Sequence, residues 1–166
     1  SNPDINNTAL VAVDVTQQAI TAKITGGKER TSGTDQELVL DASASVDPDD
    51  MSSAWAYTWS CINKTDGTVC KDTTGGQLQI QPNTTNALAR VPAGKLYTGT
   101  YEFSVFVKKD DRNDTTSTTV VITAGSPPVV SIGTLSEDKY NPIADSYLRL
   151  AGSATSSGSI VSTEWT

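Results

Sequence analysis

The chain contains no histidine among its 166 residues. Histidine is the usual general base near neutral pH and a common ligand of zinc and iron. Its absence excludes a Ser-His-Asp triad and a Cys-His dyad, and it removes the usual ligand of zinc and iron sites. We therefore expect a protein that is not an enzyme.

Basic residues are in the minority, with 12 Lys and Arg against 19 Asp and Glu, which gives a net charge of −7. An acidic surface repels the phosphate backbone, so we do not expect a nucleic-acid partner. It also repels anionic lipids and sulfated polysaccharides unless calcium bridges the two. The sequence has no signal peptide and no apolar run of membrane-spanning length, and we interpret it as a fragment of a longer exported protein.

Cysteine is scarce, and Cys61 and Cys70 are the two present, with the turn signal Asp66-Gly67 between them. The pair is either a local disulfide or two thiols that react or bind a metal. We favour the disulfide, because a metal site needs more ligands than two sulfurs. Such a bond would add about 2–3 kcal/mol to stability and would indicate an oxidising compartment.

Helical periodicity is also missing, since no apolar stripe with a 3.6-residue period exceeds two turns. Short runs that alternate apolar and polar residues take its place, and these are typical of half-buried strands. Seven such runs predict an all-β, seven-stranded sandwich of immunoglobulin or fibronectin-III type over residues 19–124, after a lead-in segment 1–18. The runs are 20–24, 38–42, 55–61, 78–80, 87–91, 101–107 and 120–122.

The pattern then starts again after a linker at 125–128, which contains Pro127-Pro128. "YLRLAGSA" (147–154) is similar to "ELVLDASA" (37–44), and "IVSTEWT" (160–166) is similar to "WAYTWSC" (55–61), so Trp165 corresponds to Trp59. The offset of about 106 to 110 residues is one module length. Residues 129–166 are therefore interpreted as the first strands of a second, truncated module.

The stretch "LVLDASASVDPDD" (38–50) ends in an acidic corner made of Asp41, Asp47, Asp49 and Asp50. One interpretation is a calcium site, because calcium takes several carboxylate and carbonyl oxygens. A second is a solvated turn in which aspartates bond nearby backbone NH groups. A third is the carboxylate pair of a hydrolase, which needs a cleft and one raised pKa. We favour the solvated turn, because the spacing is not that of an EF-hand loop.

Several other positions are singled out by their context. Trp59 lies mid-strand, as a core tryptophan would, and Leu96, Gly99 and Tyr101 have the spacing of a tyrosine corner. The charge run 108–114 is predicted to be a hairpin tip, with a binding role as the alternative. The exposed-aromatic candidates for stacking on a sugar are Phe106 and Tyr97. Glycosylation sequons occur at Asn6, Asn63, Asn83 and Asn113.

The acidic stretch, the following "YTWSC" and then Cys70 together resemble the REJ (receptor for egg jelly) module. "GTYEFSVFVKKD" (99–110) resembles the late strand of REJ and of the related PKD modules. A PKD module carries a glycine-aspartate pair after its tryptophan, whereas this chain has Ser60-Cys61, which favours REJ. The second copy lacks the acidic run, so any role of the acids is not shared by both copies.

The resemblance implies a core signature at Trp59, Tyr101 and Trp165. It also implies a non-catalytic extracellular spacer and adhesion module of a large, polycystin-1-like, membrane-anchored glycoprotein of the cell surface or cilium. The expected partners are other modules of the same chain, other surface proteins and a polycystin-type channel, with no cofactor other than the calcium considered above. The alternative is a PKD-like accessory module, with a glycan ligand, from a secreted enzyme or an extracellular fibre.

Overall fold

The structure is a computed structural model that describes residues 9–49, 53–80, 86–132, 150–156 and 162–164. All regular elements in these ranges are β-strands, which confirms the all-β prediction. The strands are β1 (Glu29–Gly33), β2 (Leu38–Asp41), β3 (Ala56–Asn63), β4 (Leu88–Val91), β5 (Gly99–Lys109), β6 (Arg112–Thr123), β7 (Val129–Ile132) and β8 (Gly152–Thr155). In the described part of the chain, no helix has the length and apolar character needed to cross a bilayer.

A four-stranded sheet with the order β1-β6-β5-β3 forms the larger layer. β5 and β6 make a long antiparallel hairpin, and β3 pairs antiparallel with the other edge of β5. The alternation predicted for β5 holds, because Tyr101, Phe103, Val105 and Val107 are all buried. The charge run 108–114 forms the hairpin tip, as predicted, and Asp110 adopts a left-handed φ of 56° in the turn.

A second sheet, in which β2 pairs antiparallel with β4, covers part of this layer. Leu38 and Leu40 of β2 and Val91 of β4 meet the fully buried Phe103 of β5 in one apolar cluster. A neighbouring cluster forms around Val105 and Val107 and includes Tyr57. Trp59, which is partly buried, packs against both clusters.

Two predicted strands are not regular strands. Residues 20–24 contribute only the bridge from Thr21 to Val46, and residues 78–80 contribute none. Their apolar side chains are nevertheless buried at Ile20, Ala22 and Leu78. The alternating pattern therefore predicted the buried side chains correctly. It did not predict whether a neighbouring strand lies in register to form the hydrogen bonds of a regular strand.

One strand was missed, because β1 has the polar sequence ERTSG and no apolar alternation. It pairs parallel with β6, from Glu29 opposite Thr119 to Gly33 opposite Thr123. The Thr118 hydroxyl donates to the Gly27 carbonyl at 3.0 Å and guides the chain into this pairing. Backbone hydrogen bonds rather than apolar burial thus define this edge strand.

β7 and β8 form a two-stranded antiparallel sheet of their own, in which Val130 lies opposite Ala154. The strand expected at 147–154 begins at Gly152 within the described residues. The strand expected at 160–166, with Trp165, lies mostly outside them.

Candidate functional site at the acidic corner

The acidic corner begins where β2 ends at Asp41. Oδ1 of Asp41 accepts a hydrogen bond from the Ser43 NH at 2.8 Å. Oδ1 of Asp47 accepts one from the Asp49 NH at 3.1 Å. These are the aspartate turns expected from the sequence, and Asp47-Pro48 directs the chain toward β3.

The carboxylate of Asp47 is buried between two cations instead of being solvated, which corrects the solvated-turn expectation. Arg112 binds it with both terminal nitrogens, at 2.7 Å from Nη1 to Oδ1 and 2.9 Å from Nη2 to Oδ2. Lys109 Nζ lies 2.8 Å from Oδ2, and the two side chains are only 4% and 3% exposed. The Lys109 ammonium also lies 5.0 Å from the centroid of the Trp55 ring, a favourable contact between a cation and an aromatic face.

Asp49 joins these ions on the side of Arg112, and Asp110 contacts the same guanidinium from the hairpin turn. Oδ2 of Asp49 lies 3.1 Å from Arg112 Nη1, and Oδ2 of Asp110 lies 3.3 Å from Nη2. We call Asp47, Asp49, Lys109 and Arg112 the Asp47 cluster. Lys109 ends β5 and Arg112 begins β6, so the tip of the hairpin supplies both cations.

The cluster shifts the pKa of Asp47 in the direction opposite to that needed by a catalytic acid. Hydrogen bonds from Arg112 and Lys109 hold the pKa of Asp47 well below its usual range. The same contacts raise the pKa of Arg112, with Asp47 as the main cause. A hydrolytic general acid needs a raised pKa, so Asp47 is suited to holding structure.

The cluster also holds the backbone at the point where the chain enters the fold. The Gln18 NH donates to Oδ2 of Asp49 at 2.7 Å, and Arg112 Nη1 donates to the Gln18 carbonyl at 2.9 Å. Both backbone polar groups of Gln18, its NH and its carbonyl, are therefore hydrogen-bonded to charged side chains. The direction of the chain before Ile20 is fixed by these two bonds.

The chain is also fastened where it leaves β6. The Gly125 NH donates to Oγ1 of Thr34 at 3.1 Å, and Gln36 Nε2 donates to the Pro127 carbonyl at 2.8 Å. Gly33 allows this close approach, because a Cβ there would lie 2.0 Å from the Gly125 carbonyl oxygen. Gln18, where the chain enters the fold, contacts Arg112, the first residue of β6. Gly125, where the chain leaves, follows closely after Thr123, the last residue of β6, so the two points lie at opposite ends of that strand.

The expected disulfide is present between Cys61 and Cys70, whose Cα atoms are 5.4 Å apart. Both cysteines are buried in the core cluster that contains Phe103. The turn between them is closed by Asp66, which accepts the Thr68 NH at 3.0 Å. The bond therefore joins β3 to the segment that returns after it.

The tyrosine corner is also present, because the Tyr101 hydroxyl donates to the Tyr97 carbonyl at 3.0 Å. Tyr101 is 5% exposed, and this burial raises the pKa of its phenol. Tyr97 itself is exposed, and its hydroxyl donates to the Thr73 carbonyl at 3.0 Å.

The remaining predicted site residues are scattered. Asp50, Asn6, Asn83 and Trp165 lie outside the described residues. Asn113 is exposed near the hairpin tip, whereas Asn63 is partly buried and its side-chain oxygen accepts the Thr65 NH at 2.9 Å. Within the described ranges, no group of three or more acidic or cysteine side chains is arranged to hold a metal ion.

Two residues of the Asp47 cluster were missed as site residues. Lys109 and Arg112 were assigned to a hairpin tip and not paired with the acidic corner, although their charge is opposite to that of the corner. The opposite charges of the two segments were the signal in the sequence that could have predicted this pairing. The separation of Arg112 from Asp47 by 65 positions hid the pairing.

The comparison with protein families supplies the context for this arrangement. The family model described as the REJ domain matches residues 1–166. This chain belongs to the REJ domain family. The REJ chain is 31% identical to Polycystin-1 of Homo sapiens over 148 residues, which cover 84% of the REJ chain and 3% of Polycystin-1. It therefore spans a small fraction of this curated relative.

A solved structure is also similar, described as a nucleoside hydrolase-related hypothetical protein from Saccharophagus degradans that is associated with carbohydrate metabolism. The sequence identity is 19% and the TM-score is 0.45, with 66% of the REJ chain and 26% of the other chain covered. A TM-score at this level carries no argument about activity.

Proposed function

We propose that this REJ chain is a non-catalytic structural module in the extracellular part of a polycystin-1-like, membrane-anchored surface protein. Membership of the REJ family and the likeness to Polycystin-1 support this parent. A buried disulfide is typical of proteins outside the cytosol and supports the location. In this proposal residues 19–124 form a sandwich module of immunoglobulin or fibronectin-III type, 125–128 a linker, and 129–166 part of a second module.

The observation that carries a spacer role is that the chain is fastened at both ends of β6. The entry at Gln18 is held by Asp49 and Arg112, and the exit is held by contacts to Gly125 and Pro127. β6 has 12 residues and therefore spans about 36 Å. A module with fixed entry and exit at opposite ends holds its neighbours at a set distance and direction, which is what a stiff spacer requires.

The charges at the acidic corner support the same role. The carboxylate of Asp47 is occupied by two cations, and its pKa is held low. We therefore propose that this corner needs no calcium and carries out no hydrolysis. Its charges organise the loop between the two sheets and the incoming chain.

The outer face of the larger sheet is the proposed protein-interaction surface. Its middle has Thr58, Phe106 and Thr115 side by side on neighbouring strands, and Phe106 is 40% exposed. An uncharged patch with an exposed aromatic side chain suits contact with another surface protein or module. Exposed Asn113, beside this face, is the proposed glycan acceptor.

The exposed aromatic residues give less support to a carbohydrate-binding site, in which aromatic rings would stack on a sugar. Tyr97 precedes β5, and Phe106 lies seven residues beyond the first residue of that strand. Gly99 and Phe106 are therefore about 23 Å apart along the strand, and Tyr97 lies before Gly99, so the two aromatics do not form one stacking platform. The surface-protein role is accordingly preferred to the carbohydrate-binding alternative.

The spacer role is tested by measuring how rigidly the two ends are held. Spin labels are attached at Thr16 and Ser126, both exposed, by a chemistry that leaves the cystine intact, and the distance distribution is measured by pulsed electron resonance. We expect a narrow distribution in the native chain. Arg112→Gln should broaden it, because Gln18 loses its donor and Asp47 loses its main partner.

Arg90→Gln is the matched control, because Arg90 and its partner Glu37 are both exposed. The distance distribution of this variant should stay narrow. Asp49→Asn serves as a milder variant that removes the charged acceptor of the Gln18 NH and keeps the Asp47–Arg112 pair. A broad distribution in the native chain, or equal widths in all variants, would contradict a stiff spacer.

A further inference from the structure

Arg30 of β1 is a partly buried cation that forms no ion pair with the carboxylates of the described residues. Its guanidinium donates to the Thr25 carbonyl and, at 3.4 Å, to the Val39 carbonyl. Its Nε atom is buried and has no hydrogen-bond partner. Arg112, by contrast, is held by the carboxylate of Asp47.

The difference between the two arginines also appears in their ionisation. Contacts with Asp47 raise the pKa of Arg112, whereas burial lowers the pKa of Arg30 and no neighbouring anion offsets this effect. A charge that is taken out of water and keeps an unused donor is unfavourable. An anion that binds beside Arg30 would relieve this cost.

A cleft with a volume of about 600 Å³ opens beside Arg30, between the edge strand β1 and the strand β7. One wall carries Gly26, Gly27 and Arg30, and the other carries Pro128, Val130 and Ile132. The guanidinium lies at the wall over Gly26, where a Cβ would approach its Nη2 to 2.9 Å. A volume of roughly 300–1,000 Å³ with few polar groups among apolar ones is typical of small-molecule sites.

The two walls of the cleft differ in chemistry. Val130 and Ile132 lie two positions apart on β7 and therefore share one face, and they are 63% and 52% exposed. Glu29 also lines the cleft, but it belongs to the opposite face of β1 from Arg30, because side chains alternate along a strand. A ligand in the cleft thus meets the charge of Arg30 on one side and apolar side chains on the other.

We infer that this cleft binds a small amphiphilic anion, namely a carboxylate attached to a short apolar chain. The carboxylate accepts hydrogen bonds from the guanidinium of Arg30, whose planar donors match two carboxylate oxygens. The apolar chain covers Val130 and Ile132 and removes their surface from water. A single negative charge is favoured over a phosphate dianion, because the protein has a net charge of −7 and Glu29 lies beside the cleft.

The inference is tested by titrating octanoate into the whole chain, with calorimetry and amide NMR as readouts. We expect saturable binding with a Kd of roughly 0.1–1 mM, and shifts of the amide signals of Gly26, Gly27 and Val130. Acetate has the carboxylate without the chain, and octanol has the chain without the charge. Each of them should bind at least about tenfold more weakly than octanoate.

Arg30→Gln removes the charge and should weaken octanoate binding by roughly ten- to hundredfold. Arg90→Gln is the matched control, because its exposed pair with Glu37 is not part of the cleft, and its affinity should equal that of the native chain. No octanoate binding up to about 10 mM, equal affinity in Arg30→Gln, or shifts confined to other surfaces would overturn the inference.

A second pair of variants tests the cleft without touching the bonds of Arg30 to the backbone. Val130→Glu places a carboxylate of the chain itself in the cleft and should abolish octanoate binding, whereas Val130→Leu should keep it. Val130 is exposed, so neither change should unfold the chain. Octanoate binding that is the same in both variants would show that the ligand does not lie between β1 and β7.

Discussion

Replacing Tyr101 by phenylalanine tests the tyrosine corner, which fixes the crossing of the chain into β5. The substitution keeps the ring, which is buried in the cluster around Phe103. It removes only the hydroxyl, which donates to the Tyr97 carbonyl at 3.0 Å. The change in stability therefore reports one hydrogen bond and the carbonyl that loses its donor.

The expected loss is about 1–2 kcal/mol in the free energy of unfolding. A neutral intramolecular hydrogen bond contributes roughly 0.5–1.5 kcal/mol, and an acceptor that stays unpaired adds to the loss. For a domain of this size the loss corresponds to a Tm lower by roughly 4–15 °C. Tyr97→Phe is the control: its hydroxyl bonds the Thr73 carbonyl at the exposed surface, and its removal should cost no more than about 0.5 kcal/mol.

Tyr101→Phe should also change how the free energy of unfolding depends on pH in the alkaline range. Burial raises the pKa of Tyr101 above the ordinary value of 10.0, so the folded state keeps a proton that the unfolded state loses. The stability is complete below pH 10 and falls as the pH rises from there through the folded-state pKa. Tyr101→Phe should flatten this fall, with the remainder due to Tyr57, whose pKa is also raised. Chemical denaturation measures both effects, and equal losses for Tyr101→Phe and Tyr97→Phe would refute the reasoning.

Four further predictions concern the cystine and the charges. Changing Cys61 and Cys70 together to alanine should lower the unfolding free energy by about 2–3 kcal/mol, because a loop of sequence separation 9 is no longer closed; calorimetry that finds an unchanged Tm would contradict this. Asp47→Asn should lower the Tm more than Glu37→Gln does, since it leaves Lys109 and Arg112 buried without their carboxylate, whereas Glu37 has an exposed pair; the opposite order would count against a structural Asp47 cluster. Millimolar calcium and chelator should give the same Tm, and a calcium-dependent rise would restore the calcium interpretation of the acidic corner. Stability should hold down to about pH 4 and fall below it, because the pKa values of Asp47, Asp66, Asp72 and Asp110 are lowered in the folded state; an acid titration with an unfolding midpoint well above that pH would contradict it.

The features that sequence could predict are those coded by neighbouring residues. Alternation identified the buried side of β5, two cysteines with a turn between them indicated the disulfide, and the spacing from Leu96 to Tyr101 indicated the tyrosine corner. Each of these rests on residues within about ten positions of one another. Local pattern is sufficient when the partners are local.

The features that sequence did not predict depend on distant partners. β1 has no apolar pattern, and it is a strand because β6 presents free backbone groups beside it. Lys109 and Arg112 lie more than 60 positions from Asp47, so their charges could be noted but their pairing could not. The acidic corner was therefore interpreted as solvated until the fold placed two cations against it.

The buried ions at the acidic corner bind backbone groups, which an apolar cluster in the same place could not do. Well-packed apolar residues often stabilise a protein as much as a buried ion cluster of the same volume, so stability alone does not explain the charges. Arg112, however, holds Asp47 with both terminal nitrogens and still donates to the Gln18 carbonyl, while Asp49 accepts from the NH of the same residue. An apolar side chain could fill the space but could not bind either backbone group. The ion cluster thus couples the closure of the β2–β3 loop to the direction of the incoming chain, and loss of Arg112 should affect that direction more than any apolar substitution nearby.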